Sequence, residues 1–256
     1  MNYQLAFISG ATSGLGKELS ILLAEKKIPL FLTGRDLDVL TKLQKELQEK
    51  TSVYILPADL SNPLELEKLI NALKQQGPDL IINAAGIGFY GNVLSSELEK
   101  QMLMLKVNID ATTAITITAA KVLKKQNKPG TIMNISSAAA CYTYPSFAVY
   151  AASKRFIKEF SLSLDYELCK HQIRVLSCLP GRFHSNFKQR ASGIPNVNSW
   201  DTMSLGKTAQ KILKQIEKKR KVSTIDFRYK MLRFFSLFIP TPLLANLLQK
   251  NTPKKY

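Results

Sequence analysis

The chain has 256 residues, 45% of them apolar, and carries 36 Lys/Arg against 19 Asp/Glu, a formal net charge of +17. That length and apolar share exclude a disordered chain and allow a sizeable core, which one α/β sheet covered on both faces can use entirely. His171 and His184 are the only histidines, and Cys141, Cys169 and Cys178 show no paired or ligand spacing, so neither a metal site nor a disulfide framework is expected.

Taken in chain order, the first predicted strand is Tyr3–Ile8. It starts so near Met1 that no secretory leader is expected, and with reduced thiols this points to the cytoplasm. Residues 9–16, Ser-Gly-Ala-Thr-Ser-Gly-Leu-Gly, follow and open a predicted helix over Gly14–Lys26. A strand that turns through glycines into a helix aims backbone N–H groups and the positive end of the helix dipole at one spot. Such a spot suits a phosphate or pyrophosphate. Gly10, Thr12, Ser13, Gly14, Leu15 and Gly16 are therefore candidate cofactor contacts. Pro29–Thr33 reads as the second strand and Leu37–Glu49 as the second helix. At the end of such a second strand the adenosine ribose is met, and an acid there would repel a 2′-phosphate. Thr33-Gly34-Arg35 stands at that point instead. The forked guanidinium of Arg35 suits phosphate, which favours NADP(H) over NAD(H), although Asp36 directly after it competes for the arginine.

Val53–Leu56 is the third strand, followed by Pro57-Ala58-Asp59-Leu60. Asp59 reads either as an acceptor for the adenine amino group, with Leu60 beside it, or as a turn residue. A helix over Pro63–Lys74 and a strand over Asp79–Ile82 lead to Asn83-Ala84-Ala85-Gly86, where small residues let a cofactor approach the backbone; Asn83, Ala84 and Gly86 join the candidates. A long helix is predicted over Glu97–Lys124. Ser137 lies just past the strand Thr131–Ile135, on the edge where ligands collect, and its hydroxyl suits a carbonyl oxygen or a turn cap. The helix Ala148–Lys170 places Tyr150 and Lys154 one turn apart on one face. A nearby ammonium favours the phenolate, so Lys154 is expected to draw the tyrosine pKa down towards usable acid–base behaviour. Ile173–Cys178, a helix over Leu205–Lys221 and a weaker strand at Val222–Ile225 complete the pattern. Strands alternating with helices imply parallel pairing with right-handed crossovers. The expected fold is α/β, a doubly wound parallel sheet of about seven strands with helices on both faces, built as one domain over residues 1–256.

The order and spacing of Gly10-x-x-x-Gly14-x-Gly16, Asn83-Ala84-Ala85-Gly86, Asn108 in Val107-Asn108, Ser137 in Asn134-Ile135-Ser136-Ser137, Tyr150-x-x-x-Lys154 and Pro180-Gly181 resemble the short-chain dehydrogenase/reductase family from residue 3 to about 187. The resemblance implies a Rossmann fold and a catalytic set of Asn108, Ser137, Tyr150 and Lys154. Tyr150 would donate a proton, Lys154 would hold the nicotinamide ribose, Ser137 would orient the carbonyl, and Asn108 would hold a water that relays protons. Pro180-Gly181-Arg182-Phe183-His184-Ser185 matches the segment where the family usually sets a threonine over the nicotinamide amide. Ser185 fills that place here, and Pro180, Gly181 and Phe183 join the cofactor set.

Residues 186–206 are polar and small, and the resemblance makes them a candidate substrate lid. Phe89, Tyr90, Phe183, Phe187 and Trp200 could line an apolar pocket or simply pack. Residues 207–256 hold 13 Lys/Arg against Glu217 and Asp226, and 227–256 form a basic, apolar extension. Its apolar run is too short and too proline-interrupted for a spanning helix. It suits an anionic membrane surface, or packing over the pocket or against another subunit. The extension is similar to those of reductases acting on lipid-like carbonyls. The expected activity is NADPH-dependent reduction of a lipophilic ketone or aldehyde. A 3-oxoacyl thioester reductase and an inactive NADP(H)-sensing protein are the alternatives. A nucleic-acid partner is not expected, since no recognition motif accompanies the charge. A homodimer or homotetramer pairing through Glu97–Lys124 and Ala148–Lys170 is implied by the family.

Overall fold

In a computed structural model of the chain, the described residues are 1–94, 96–183, 191, 202–236 and 238–250. Seven parallel strands form one sheet: β1 (Ala6–Ser9), β2 (Leu30–Gly34), β3 (Val53–Pro57), β4 (Leu80–Asn83), β5 (Gly130–Ile135), β6 (Ile173–Leu179) and β7 (Val222–Thr224). Their order is β3-β2-β1-β4-β5-β6-β7. Between them run α1 (Gly14–Glu25), α2 (Leu37–Gln48), α3 (Pro63–Gln76), α4 (Leu98–Leu105), α5 (Thr112–Lys125), α6 (Ala148–Leu168) and α7 (Leu205–Glu217), and α8 (Phe227–Phe235) and α9 (Thr241–Lys250) follow β7.

Side chains alternate across each strand, so every strand feeds two cores. Ala6, Ile8, Leu30, Leu32, Leu80 and Ile82 meet one layer, made by Leu19 and Leu23 of α1, Leu40, Leu43 and Leu47 of α2, and Ile212 and Ile216 of α7. Phe7, Phe31, Ile81, Ile132 and Val175 meet the other, made by Leu69 and Leu73 of α3 and Ile115, Ala119 and Leu123 of α5. Phe7 and Phe31, neighbours in register, pack edge to face with ring centroids 5.1 Å apart.

The chain winds outward from β1 to β3, then restarts beside β1 with β4. The crevice at the carboxyl ends of β1 and β4 is the switch point where ligands of open α/β sheets bind. Two predicted elements differ from expectation. The long helix over Glu97–Lys124 is interrupted by a π-helical stretch, Lys106–Ala111, between α4 and α5. The helix over Leu205–Lys221 stops at Glu217, just before Lys219 takes a left-handed φ of 47°. Apart from Ala191 and residues 202–206, the expected lid lies outside the described residues, as do Phe187 and Trp200.

Candidate active site

β1 ends at Ser9 and the chain turns through Gly10 at φ +70°, a value glycine adopts without a Cβ penalty. A Cβ on Gly10 would lie 2.9 Å from the Ala85 Cα, and one on Gly16 would lie 2.3 Å from the Gly10 carbonyl oxygen. The turn is thus pressed between the end of β4 and the first turn of α1, and the Ala85 N–H donates to Ser9 Oγ at 3.2 Å. Ser13 stands at the N-cap of α1 without a side-chain cap bond, and no acid occupies the first turn. Ser13, Gly14 and Leu15 line the cleft there, so the helix start offers its N–H groups and its positive dipole end to a ligand.

From this turn a continuous cleft of about 960 Å³ runs along the sheet edge. At its adenosine end, Thr12 packs over Gly34, where a Cβ would sit 2.5 Å from the threonine methyl. Arg35 follows, exposed at the cleft. Asp36, next to that arginine, serves as the N-cap of α2: its carboxylate accepts the Val39 N–H at 3.0 Å. Asp59 lies on the same wall with Leu60. Its Oδ1 accepts from the Ser61 amide at 2.9 Å and the Ser61 hydroxyl at 2.7 Å, an Asx turn. Burial works to raise this carboxyl, but the Ser61 bonds and the charge of Arg35 outweigh it and hold it below its ordinary range. In chemistry these groups fit NADP(H): the start of α1 suits a pyrophosphate and the Arg35 guanidinium suits a 2′-phosphate.

At the other end Ser137, Tyr150 and Lys154 converge. The Ser137 and Tyr150 hydroxyls are hydrogen-bonded, and Ser137 also caps a short 3-10 turn by accepting the Ala139 N–H at 3.2 Å. Lys154 Nζ donates to the Ile135 carbonyl at 3.1 Å and stands 5.8 Å from the centroid of the Tyr150 ring. The Lys154 main-chain carbonyl accepts from Ser136 Oγ at 2.6 Å, tying the helix to the end of β5. Ala84 and Gly86 form the facing wall, and a Cβ on Gly86 would come within 3.1 Å of Lys154 Nζ. Pro180, Gly181 and Phe183 close the cleft beyond β6. The expectation that Lys154 draws the phenol down is not met in the protein alone. Burial pushes Tyr150 up to about 12, with the Ser137 hydroxyl working against it, and pushes Lys154 down to about 8. Both groups are almost fully enclosed, and desolvation disfavours the charged form of each.

Four sequence-predicted residues among those described sit away from the cleft lining, Phe89 by packing against the cluster of Met104, Phe147 and Tyr150. Gly16 acts beneath it, by letting α1 approach the glycine turn. The Asn83 side chain faces inward, donating to Asn134 Oδ1 at 2.7 Å and Thr116 Oγ1 at 3.1 Å in a buried network. Asn108 is fully buried, and both ends of its carboxamide hold the Ile87 backbone: Oδ1 accepts the N–H at 3.0 Å and Nδ2 donates to the carbonyl at 2.9 Å. This clasp falls inside the π-helical stretch and accounts for the broken helix. Ser185 lies outside the described residues.

Sequence reasoning missed Phe147. Its ring stacks on Tyr150 at a centroid distance of 4.2 Å and on Tyr90 at 3.7 Å, so the phenol is backed by an aromatic pile. The only signal was an aromatic three residues before Tyr150, where the helix begins. It also missed Tyr229 of α8, whose ring covers Gly181 so closely that a Cβ there would lie 2.2 Å from it.

The family model described as short chain dehydrogenase matches residues 4–193. The chain is 30% identical over 206 residues to a sulfoacetaldehyde reductase of Chromohalobacter salexigens, covering 79% of this chain and 81% of that one. Among solved structures it resembles a short-chain dehydrogenase from Sphingobium yanoikuyae in complex with NADPH, with 25% identity, a TM-score of 0.83 and coverage of 91% and 94%. A bulky-bulky ketone specific alcohol dehydrogenase from Comamonas testosteroni shares the fold over 100% of this chain and 97% of its own, with a TM-score of 0.78 at 22% identity.

Proposed function

The chain belongs to the short-chain dehydrogenase family of oxidoreductases, and from that premise we propose that it is an NADPH-dependent carbonyl reductase for a lipophilic ketone or aldehyde. The observation that carries the reading is the joining of Ser137, Tyr150 and Lys154 at one end of a cleft whose other end holds Arg35. The glycine turn and the start of α1 would hold the pyrophosphate of NADPH, which when bound would supply the hydride that reduces the carbonyl carbon. Tyr150 gives its proton to the carbonyl oxygen, converting the carbonyl to an alcohol, while the Ser137 hydroxyl holds that oxygen in place. Lys154, carrying its charge below a pH of about 8, would hold the ribose of the nicotinamide half and would stabilise the negative charge left on the phenol oxygen as Tyr150 gives up its proton. Asn108 fixes Ile87, and hence the wall opposite Lys154; a proton relay through Asn108 would use its main chain, since its carboxamide is committed.

The substrate end is lined by Leu103, Phe147, Leu232, Leu244, Leu247 and Leu248. Arg228, also at the wall, is held by Asp226. The sulfoacetaldehyde reductase is named for a small anionic aldehyde; these apolar walls favour a larger, greasier carbonyl. Leucines of α9 at the cleft also favour a free lipophilic substrate over a carrier-bound thioester. A cytoplasmic enzyme, folded as one domain and pairing through α4–α5 and α6, completes the reading.

The test is cofactor consumption against a panel of ketones and aldehydes of increasing apolar bulk, with NADPH and with NADH. Tyr150→Phe should lose about 10²–10⁴-fold in kcat while still binding NADPH. Arg35→Ala should weaken NADPH and leave NADH unchanged. Full activity in Tyr150→Phe, or equal loss of both cofactors in Arg35→Ala, would overturn the assignment of those residues.

A further inference from the structure

Eight of the eighteen exposed large apolar side chains among the described residues lie between Phe227 and Leu247, within α8, α9 and the short link joining them. On α8 the spacing divides them into two stripes. Arg228, Tyr229 and Leu232 turn to the cleft. Phe227, Lys230, Met231 and Phe234, at i, i+3, i+4 and i+7, form the outer stripe. Phe227 is 69% exposed, Phe234 55% and Phe238 72%, and the Phe234 ring packs edge to face with Phe238 at 5.5 Å. Leu243 continues the apolar surface onto α9 at 62% exposure. Residues 227–256 carry six Lys/Arg and no Asp or Glu, with Lys230 and Arg233 exposed beside the phenylalanines. Leu232 and Leu247 belong to both surfaces: each lines the cleft, and they remain 37% and 54% exposed at its rim.

We propose that α8 and α9 dock on an anionic lipid bilayer with the cleft rim at Leu232 and Leu247 turned to the lipid, so that the lipophilic carbonyl enters from the membrane. The entry route rests on the carbonyl-reductase reading; the docking does not. An aromatic stripe flanked by cations, with no acid in the segment, has the chemistry of a helix lying in the headgroup layer. Helices of nine and ten residues are too short to cross. A second copy of the chain is a poor cover for this face, since it would bring the same cations, Lys230 and Arg233, against their equals. A bilayer of opposite sign answers both the apolar and the cationic parts of the surface.

The experiment is co-sedimentation of the full chain with vesicles of phosphatidylcholine alone and of equal parts phosphatidylcholine and phosphatidylglycerol. It is repeated for Phe227→Ser combined with Phe234→Ser, and for Lys230→Glu combined with Arg233→Glu. Thermal melting and NADPH binding report whether each variant is intact. The wild type should bind the anionic vesicles, and each double variant should lose about tenfold or more in partitioning with melting and NADPH binding unchanged. Reduction of a vesicle-dissolved ketone should fall in the variants while that of a water-soluble ketone holds. A wild type that stays in the supernatant, binding that survives in both variants, or a concentration-dependent dimer that both variants dissociate would overturn the proposal. Vesicle binding without turnover of any carbonyl would sustain the docking and sink the reductase reading instead.

Discussion

The two ionisable groups at the centre of the site are displaced in opposite directions by one cause. Burial keeps the Tyr150 phenol protonated, at about 12, and makes the Lys154 ammonium easier to lose, at about 8. A proton donor for reduction must enter the reaction protonated, and Tyr150 is in that state across the neutral range. Lys154 is the group that titrates near it: charged below about 8, neutral above. Reductive kcat/KM should therefore be level at neutral pH and fall as pH rises through about 8. A profile flat to beyond pH 10 would show that the charge of Lys154 is not needed. The stability linkage carries the opposite sign. With a folded pKa below the unfolded value, the folded state releases the lysine proton first, so stability should rise between about 8 and the ordinary lysine pKa. Tyr150 and Lys154 were legible in the sequence because helical spacing fixes their common face. The backing by Phe147 and the raised phenol were not, since burial is a property of what packs around a residue.

At the scale of elements, strands and helices were readable where one period dominates. All seven strands were foreseen, with ends moved by up to three residues, because an apolar run between turn residues suits a sheet buried on both faces. The break in the long helix was hidden, since its cause is remote: Asn108 reaches the backbone of Ile87, 21 residues earlier. The placement of α8 was hidden for a similar reason. Tyr229 finds Gly181 across 48 positions, and the Arg182 N–H donates weakly to its phenol oxygen at 3.4 Å. This contact makes a prediction. Gly181→Ala would drive a methyl into the Tyr229 ring, and melting should register a loss of about 1–3 kcal/mol with reduced turnover of bulky ketones. Adding Tyr229→Ala to that variant should restore much of the stability. A silent Gly181→Ala would mean that α8 does not sit against the end of β6.

On the scale of the whole molecule, the sheet order explains why residues from distant parts of the sequence act together. The reversal between β3 and β4 places the ends of β1, β4, β5 and β6 side by side, and the glycine turn, Gly86, Ser137 and Gly181 all lie just past those ends. The sequence motifs announced this gathering because each is local and falls at a strand end. The C-terminal extension announced only its composition. Whether its leucines met lipid, pocket or another subunit depended on a tertiary contact, and in the structure α9 lends Leu244, Leu247 and Leu248 to the cleft.

The central claim is that this convergence carries out hydride transfer coupled to protonation by Tyr150. Its most direct test is a label. With NADPH deuterated at the transferable C4 position and a bulky ketone, the account predicts an alcohol product heavier by one deuterium on carbon from the wild type, and almost none from Tyr150→Phe at equal cofactor occupancy. Unlabelled alcohol from the wild type, or labelled alcohol formed as fast by Tyr150→Phe, would contradict it.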